Sequence, residues 1–191
     1  MIYLVDEIGK VVAAMQSDTI LIAALTTGIP ELSSKGYLSG MPYYMYDHPV
    51  KINARLLEKN QDKTYKYQKY PLVALRLDFD EEPGLMWGFN LNIAIIMATD
   101  PNYDADKRYD KVYRTVLYPI YEAFLKHLKS TGLFQWDQDD SRGLIIPPHK
   151  KVDRLFYGAI GSQGNEASIF SDPLDAIELI NLKISKRDKN C

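Results

Sequence analysis

Apolar residues recur over the first 28 positions at the three-to-four spacing of one buried helix face: Ile2, Val5, Ile8, Val11, Val12 and Met15. Ser17 and Asp18 then predict an N-cap for a second short helix over Thr19–Leu25, with Gly28 as its stop and Pro30 beyond it. The period disappears over 31–48 (SSKGYLSGMPYYMYDH at its heart), which reads as a long loop or irregular extended arm. Pro49 suits the first turn of a helix over 50–60, with Ile52, Leu56 and Leu57 on one side.

Two strands follow. Tyr70–Phe79 is rich in large apolar and β-branched side chains, and Asp80, Glu81, Glu82, Pro83 and Gly84 make a turn. Leu85–Thr99 has period two: Phe89, Leu91, Ile93, Ile95 and Met97 face one way, and Gly88, Asn90, Asn92, Ala94, Ile96 and Ala98 the other. Next comes a long helix over 105–130, its stripe formed by Tyr109, Val112, Tyr113, Val116, Leu117, Ile120, Phe124 and Leu128. Arg108, Lys111, Arg114, Lys126 and Lys129 lie largely off that stripe. Asp104 is its expected N-cap and Gly132 its stop, and Pro119 is expected to kink it. Asp153–Ile160 and Asp175–Ser185 read as strands, the latter with Ile180, Leu182 and Ile184 alternating.

The order predicts one α+β domain over 1–191. It comprises an N-terminal helix, an antiparallel sheet of about four strands in two hairpins, and one long kinked helix packed on the sheet. Segment 31–69 is expected as an extended Tyr/Lys-rich arm or insertion, and 186–191 as a polar tail.

Composition narrows the function classes. With 46% hydrophobic and 25% charged residues the chain has ordinary globular values. A net charge of −2 gives no overall field for nucleic acid or an anionic membrane. Apolar runs are short for a bilayer helix, and Asp6 and Glu7 occupy the place of a signal peptide's apolar region. The single cysteine, Cys191, excludes an internal disulfide and a cysteine-rich metal centre. Of 14 tyrosines, half (Tyr37, Tyr43, Tyr44, Tyr46, Tyr65, Tyr67 and Tyr70) fall between 37 and 70. Such rings suit a surface that becomes buried against a partner, or a β-rich core with its hydroxyls in water.

Candidate chemistry is sparse. Lys51–Lys69 holds six basic and two acidic residues, an excess of +4, with Lys63, Lys66 and Lys69 interleaved with tyrosines. That pattern fits a nucleic-acid surface or a solvated connector. Asp78, Asp80, Glu81 and Glu82 cluster at a strand end, where a metal-dependent nuclease would hold Mg²⁺ through Asp78 and Asp80, or where a polar turn needs acids. His48, His127 and His149 lie in separate elements without ligand spacing. The Asp100–Asp106 segment lacks the glycine and glutamate of a calcium loop, having Ala105 and Lys111 there. Gly158, Gly161 and Gly164 open no helix, and nucleophile elbows and P-loops are missing. The expectation is a protein without catalysis, metal or cofactor.

KYPLVALRLDF (Lys69–Phe79) and RYDKVYRTVLYPIYEAFLKHL (Arg108–Leu128), with DRLFYG (Asp153–Gly158) and DPLDAIELINLKI (Asp172–Ile184), resemble one family. It is the tail-terminator, or tail-completion, proteins of tailed bacteriophages and the related ring proteins of the phage neck. The versions it is similar to come from Bacteroidetes-infecting phages, including the crAss-like group. The resemblance implies an α+β sheet flanked by helices and a structural virion protein. Such a protein forms a homo-oligomeric ring (hexamer or dodecamer) against neck, portal or tail proteins. DNA would pass through the lumen without sequence-specific contact, and no membrane is involved. Segment 31–69 departs from the compact family pattern.

A ring needs one patch that meets a different patch on its neighbour. The sequence offers opposite signs for this. Expected interface residues are Tyr43, Tyr44, Tyr46, Lys63, Lys66 and Lys69 on one side. Asp80, Glu81, Glu82 and the acidic loop residues Asp137, Asp139 and Asp140 are expected on the other.

Overall fold

A computed structural model describes residues 3–36, 38, 40–63, 65–136, 146–158 and 169–187. Helix α1 (Leu4–Met15) buries Ile8, Val11, Val12 and Met15 as its spacing predicts, with Leu4 buried and the expected Val5 only partly so in its first turn. Ile2 lies outside the described residues. Helix α2 (Thr19–Gly28) is capped by Asp18, whose Oδ1 accepts from the amides of Ile20 and Leu21. Gly28 is required there by packing: a Cβ would lie 2.5 Å from the Thr115 carbonyl oxygen.

The described part of the stretch expected as an arm over 31–48 contains a helix and a strand. Pro30 opens a short helix α3 (Pro30–Ser34), and Tyr43–Tyr46 form strand β1. Helix α4 (Pro49–Gln61) then crosses to strand β2 (Leu72–Leu75), which pairs with β1 in parallel. Parallel neighbours need a crossover of about a dozen residues, and α4 supplies it. The alternating pattern that marks a strand is hidden here because β1 is four residues long.

The expected strand over 70–79 shortens to β2, and the expected turn begins with a strand, β3 (Asp80–Glu82). Both pair antiparallel with the same side of β4 (Met86–Ala98). Strand β5 (Lys150–Arg154) shares only Asp153 and Arg154 with the strand expected over Asp153–Ile160; residues 155–158 turn, and 159–160 lie outside the described residues. Strand β6 (Leu174–Arg187) completes a six-stranded, mostly antiparallel sheet of order β1-β2-β4-β6-β5, with β3 on β4. In place of about four strands in two hairpins the sheet has six. Strand β2 pairs antiparallel with β4 and β5 with β6 as expected, and β3 also pairs antiparallel with β4. But β1 joins in parallel, and the two long central strands, β4 and β6, are distant in sequence.

The β4–β6 ladder carries a bulge. Leu91 pairs with Leu182 but Ile93 pairs with Leu179, so β6 spends Ile180 and Asn181 where β4 spends Asn92. Asn181 takes a left-handed conformation (φ 55°), and its amide donates to Asn92 Oδ1. The extra residue reverses the parity of β6, so the buried row is Ile177, Leu179, Leu182 and Ile184. Ile180 leaves the row that strict alternation expects of it.

On one face of the sheet this row, with Val73, Leu75, Phe89, Leu91, Ile93 and Ile95, packs against α1, α2 and the long helical element. On the other face Met45, Leu72, Ala74, Ala94, Ile96, Leu174 and Ala176 pack under Ile52 and Leu56 of α4 and under Phe170. The long element starts as α5 (Ala105–Arg108), capped by Asp104 Oδ1 on the Lys107 amide. It passes through a π-helix at Tyr109–Leu117 and ends as α6 (Tyr118–Ser130), after which Gly132 (φ 61°) turns the chain. Pro119 has no amide to return to the carbonyl four residues back. The wider register, with the Tyr118 amide bonded to the Tyr113 carbonyl, places it in the first turn of α6, where no donor is needed.

Among the described residues no single helix is long and apolar enough to cross a membrane. The pair α1 and α2 together is long and apolar enough, but it bends by 75° and its apolar faces lie in the core just described.

Asp18 Oδ2 also accepts from Lys126 Nζ at 2.7 Å and from His127 Nε2 at 2.8 Å, tying the cap of α2 to α6. These bonds hold its carboxyl well below the ordinary carboxylate range. A depressed pKa contributes stability above the unfolded value and loses it as pH falls. Thermal melts of the wild type should therefore lose stability below about pH 4, and Asp18→Asn should flatten that part of the profile. Asn181→Val should cost about 1–2 kcal/mol in urea denaturation, because a β-branched residue resists φ near +55°, whereas Asn181→Gly should be nearly neutral.

Candidate interface surfaces

The expected tyrosines divide. Tyr43, Tyr44 and Tyr46 sit on β1, an edge strand. The Tyr44 hydroxyl donates to the Val5 carbonyl at 2.9 Å, and burial pushes its phenol up, so it belongs to the packing between β1 and α1. Tyr43 lies under Lys59, whose Nζ is 5.3 Å from the ring centroid. Tyr46 is the exposed one, at 42%.

The expected lysines divide as well. Lys69 is buried and pairs at 2.5 Å with Asp172, which also accepts from the Tyr70 hydroxyl at 3.1 Å. A lysine in that position anchors the segment before Leu174 and is withdrawn from any partner. Lys66 and Lys35 each stand 4.7 Å from the Tyr67 ring centroid, and their charges lower its phenol, Lys66 by a hydrogen bond foremost. Lys63 is exposed.

Asp80, Glu81 and Glu82 remain surface residues on β3, beside Leu85, which is 74% exposed, and the exposed Leu77 and Met86. Asp80 and Glu82 border an open cavity of about 350 Å³ with Asn90, Trp136, Lys183 and Ser185. Asn90 Oδ1 and Trp136 Nε1 are both buried there without a hydrogen-bond partner. The cavity thus sets carboxylates and an unused amide oxygen beside a cation, Lys183, and an unused indole N–H, a mixed polar lining that can both accept and donate. Asp137, Asp139 and Asp140 lie outside the described residues.

Asp78, the other acid of the nuclease reading, is engaged by Arg76 at 2.6 Å. Among the described residues no group of three or more His, Cys, Asp or Glu side chains is placed to hold a metal ion. The histidines have structural partners. His48 caps α4 by accepting from the Val50 amide, His127 meets Asp18, and His149 bonds the Pro147 carbonyl through Nδ1 and the Tyr121 hydroxyl through Nε2.

The sequence reading missed one cluster. Arg108, expected off the helix stripe, is 1% exposed and pairs at 2.7 Å with the fully buried Asp175. Its Nε donates to the Tyr103 carbonyl, and Phe156 covers its guanidinium at 3.9 Å. The Phe156 amide donates to the same Asp175 oxygen, with Phe156 itself at φ 53°. The available signal was Arg108 four residues before Val112, in line with the stripe, together with the acids Asp175 and Glu178 interrupting the apolar run LDAIELI.

Comparison with protein-family models, with curated proteins and with solved structures finds no match.

Removing one partner of a buried pair strands the other charge. Arg108→Met should destabilise the protein by about 3–5 kcal/mol in urea denaturation, and Arg108→Met/Asp175→Asn should recover part of that loss.

Proposed function

We propose that this chain is a structural virion protein of a tailed phage, assembling as a homo-oligomeric ring at the head–tail junction. It would terminate the tail or join it to the neck and portal. The phage assignment rests on the resemblance of Lys69–Phe79, Arg108–Leu128, Asp153–Gly158 and Asp172–Ile184 to that family. The observation that carries the assembly role is the acidic tip at β3. It combines three exposed carboxylates, exposed leucines and a cavity in which the Asn90 amide oxygen and the Trp136 N–H have no partner. An enzyme site gathers convergent catalytic groups, whereas this tip offers charge, apolar contact and unused hydrogen-bonding groups, the means by which one protein meets another.

Cationic side chains available to it stand elsewhere on the same chain, on and after α4, at Lys51, Lys63 and Lys66. Opposite charges at separate places favour a head-to-tail contact, in which copies join in one direction. Light scattering over a concentration series, with negative-stain images, should find a discrete closed species, a whole multiple of six subunits. Glu81→Lys/Glu82→Lys should weaken its assembly by about tenfold or more while the melting transition stays close to wild type. A wild-type protein that is monomeric at every concentration and in the presence of its assembly partners would overturn the proposal.

A further inference from the structure

We infer that successive copies join through their sheet edges, strand β5 of one copy adding to strand β1 of the next. This deepens the ring reading and rests on it. The order β1-β2-β4-β6-β5 places β1 and β5 at opposite edges of one sheet. Strand β1 runs parallel to β2, and each later neighbour in that order is antiparallel, so β1 and β5 run in opposite directions. A head-to-tail repeat that preserves strand direction therefore sets a neighbour's β5 antiparallel against β1. It also keeps the helices of every copy on the same side of the extended sheet.

The backbone of β1 is ready for such a partner. The Tyr43 amide donates to the Pro71 carbonyl at 2.9 Å and the Asp47 amide to the Leu75 carbonyl at 3.2 Å. In a parallel pair alternate residues turn to the same neighbour, so Tyr44 and Tyr46 direct their N–H and C=O groups outward. The strand reads Tyr-Tyr-Met-Tyr, without the lysine, proline or bulge that usually protects a free edge. Strand β5 brings exposed Lys150 to the opposite edge as the complement. Its other cations are held in place within the chain, Lys151 by Asp153 at 2.6 Å and Arg154 by Glu178 at 2.7 Å, so that they do not project into an incoming strand. Cations against tyrosine rings already recur within the chain, Lys151 standing 4.5 Å from the Tyr118 centroid and Lys59 near Tyr43. Pairing β1 with β1 of another copy would instead create a two-fold axis and stop at a dimer.

Tyr46→Pro deletes an outward amide and leaves the β1–β2 bonds in place, and Tyr46→Lys adds edge charge without touching the backbone. Both should weaken self-association about tenfold or more per contact while circular dichroism and melting stay near wild type. In the assembled wild type the Tyr44 and Tyr46 amides should exchange hydrogen more slowly than in diluted monomer. Variants that assemble as wild type does, or unchanged exchange at these amides, would overturn the edge contact and leave the ring reading standing. Assembly that stops at a dimer would overturn the β5-to-β1 pairing. A wild type that never self-associates would overturn both. Should Tyr46→Pro not fold, Tyr46→Lys and the exchange rates decide.

Discussion

Everything in this fold hangs on the pairing of β4 with β6. The two strands are 13 and 14 residues long and stay in register from Met86 against Arg187 to Ala98 against Leu174, with one bulge. The other strands build outward from this ribbon: β2 and β3 on the free side of β4, with β1 beyond β2, and β5 and the Gln135 bridge on the free side of β6. Burial requires both ends of the ribbon to offer apolar side chains to the same helices. Asn181 makes that possible by shifting the alternation of β6 by one residue, and asparagine tolerates the left-handed conformation the shift demands.

The ribbon is fastened to the helices by charge near both ends of β6. Asp175 meets Arg108 of α5 at 2.7 Å, and Lys186 meets Glu7 of α1 at 2.5 Å. The first pair is removed from water, so its attraction offsets a large desolvation cost and its benefit is in position more than in net stability. It fixes the start of the long helical element on the sheet, and the π-helix then carries the chain to Pro119 without losing the buried stripe of Val112, Tyr113, Val116 and Leu117.

The same arrangement sorts the surface. Helix α4 covers one half of the rear sheet face, leaving Asn90, Asn92 and Lys183 of the other half beside the acidic β3 tip. Tyr44 and Lys69 are consumed by the fold, while Tyr46, Lys63 and the β3 carboxylates stay outside. Exposed aromatic, basic and acidic groups thus occupy separate places on a stiff scaffold, which is what the proposed one-directional assembly uses.

The sequence by itself determined the local elements. The stripe of α1, the Asp18 and Asp104 caps, Pro49 opening α4, Gly132 closing α6 and the two faces of β4 all follow from periodicity and from side chains that satisfy neighbouring amides. Such signals act within a few residues, so they survive in one dimension. Tertiary structure alone decided that Tyr43–Tyr46 would be a parallel edge strand, that Asp80–Glu82 would pair with β4, and that Ile180 would leave the buried row. It also buried Arg108 against Asp175, 67 residues away, and Lys69 against Asp172. A short strand has too few positions for a period, and a charged side chain shows its partner only when distant segments meet. Which of the predicted surface residues remain on the surface was therefore settled by the sheet.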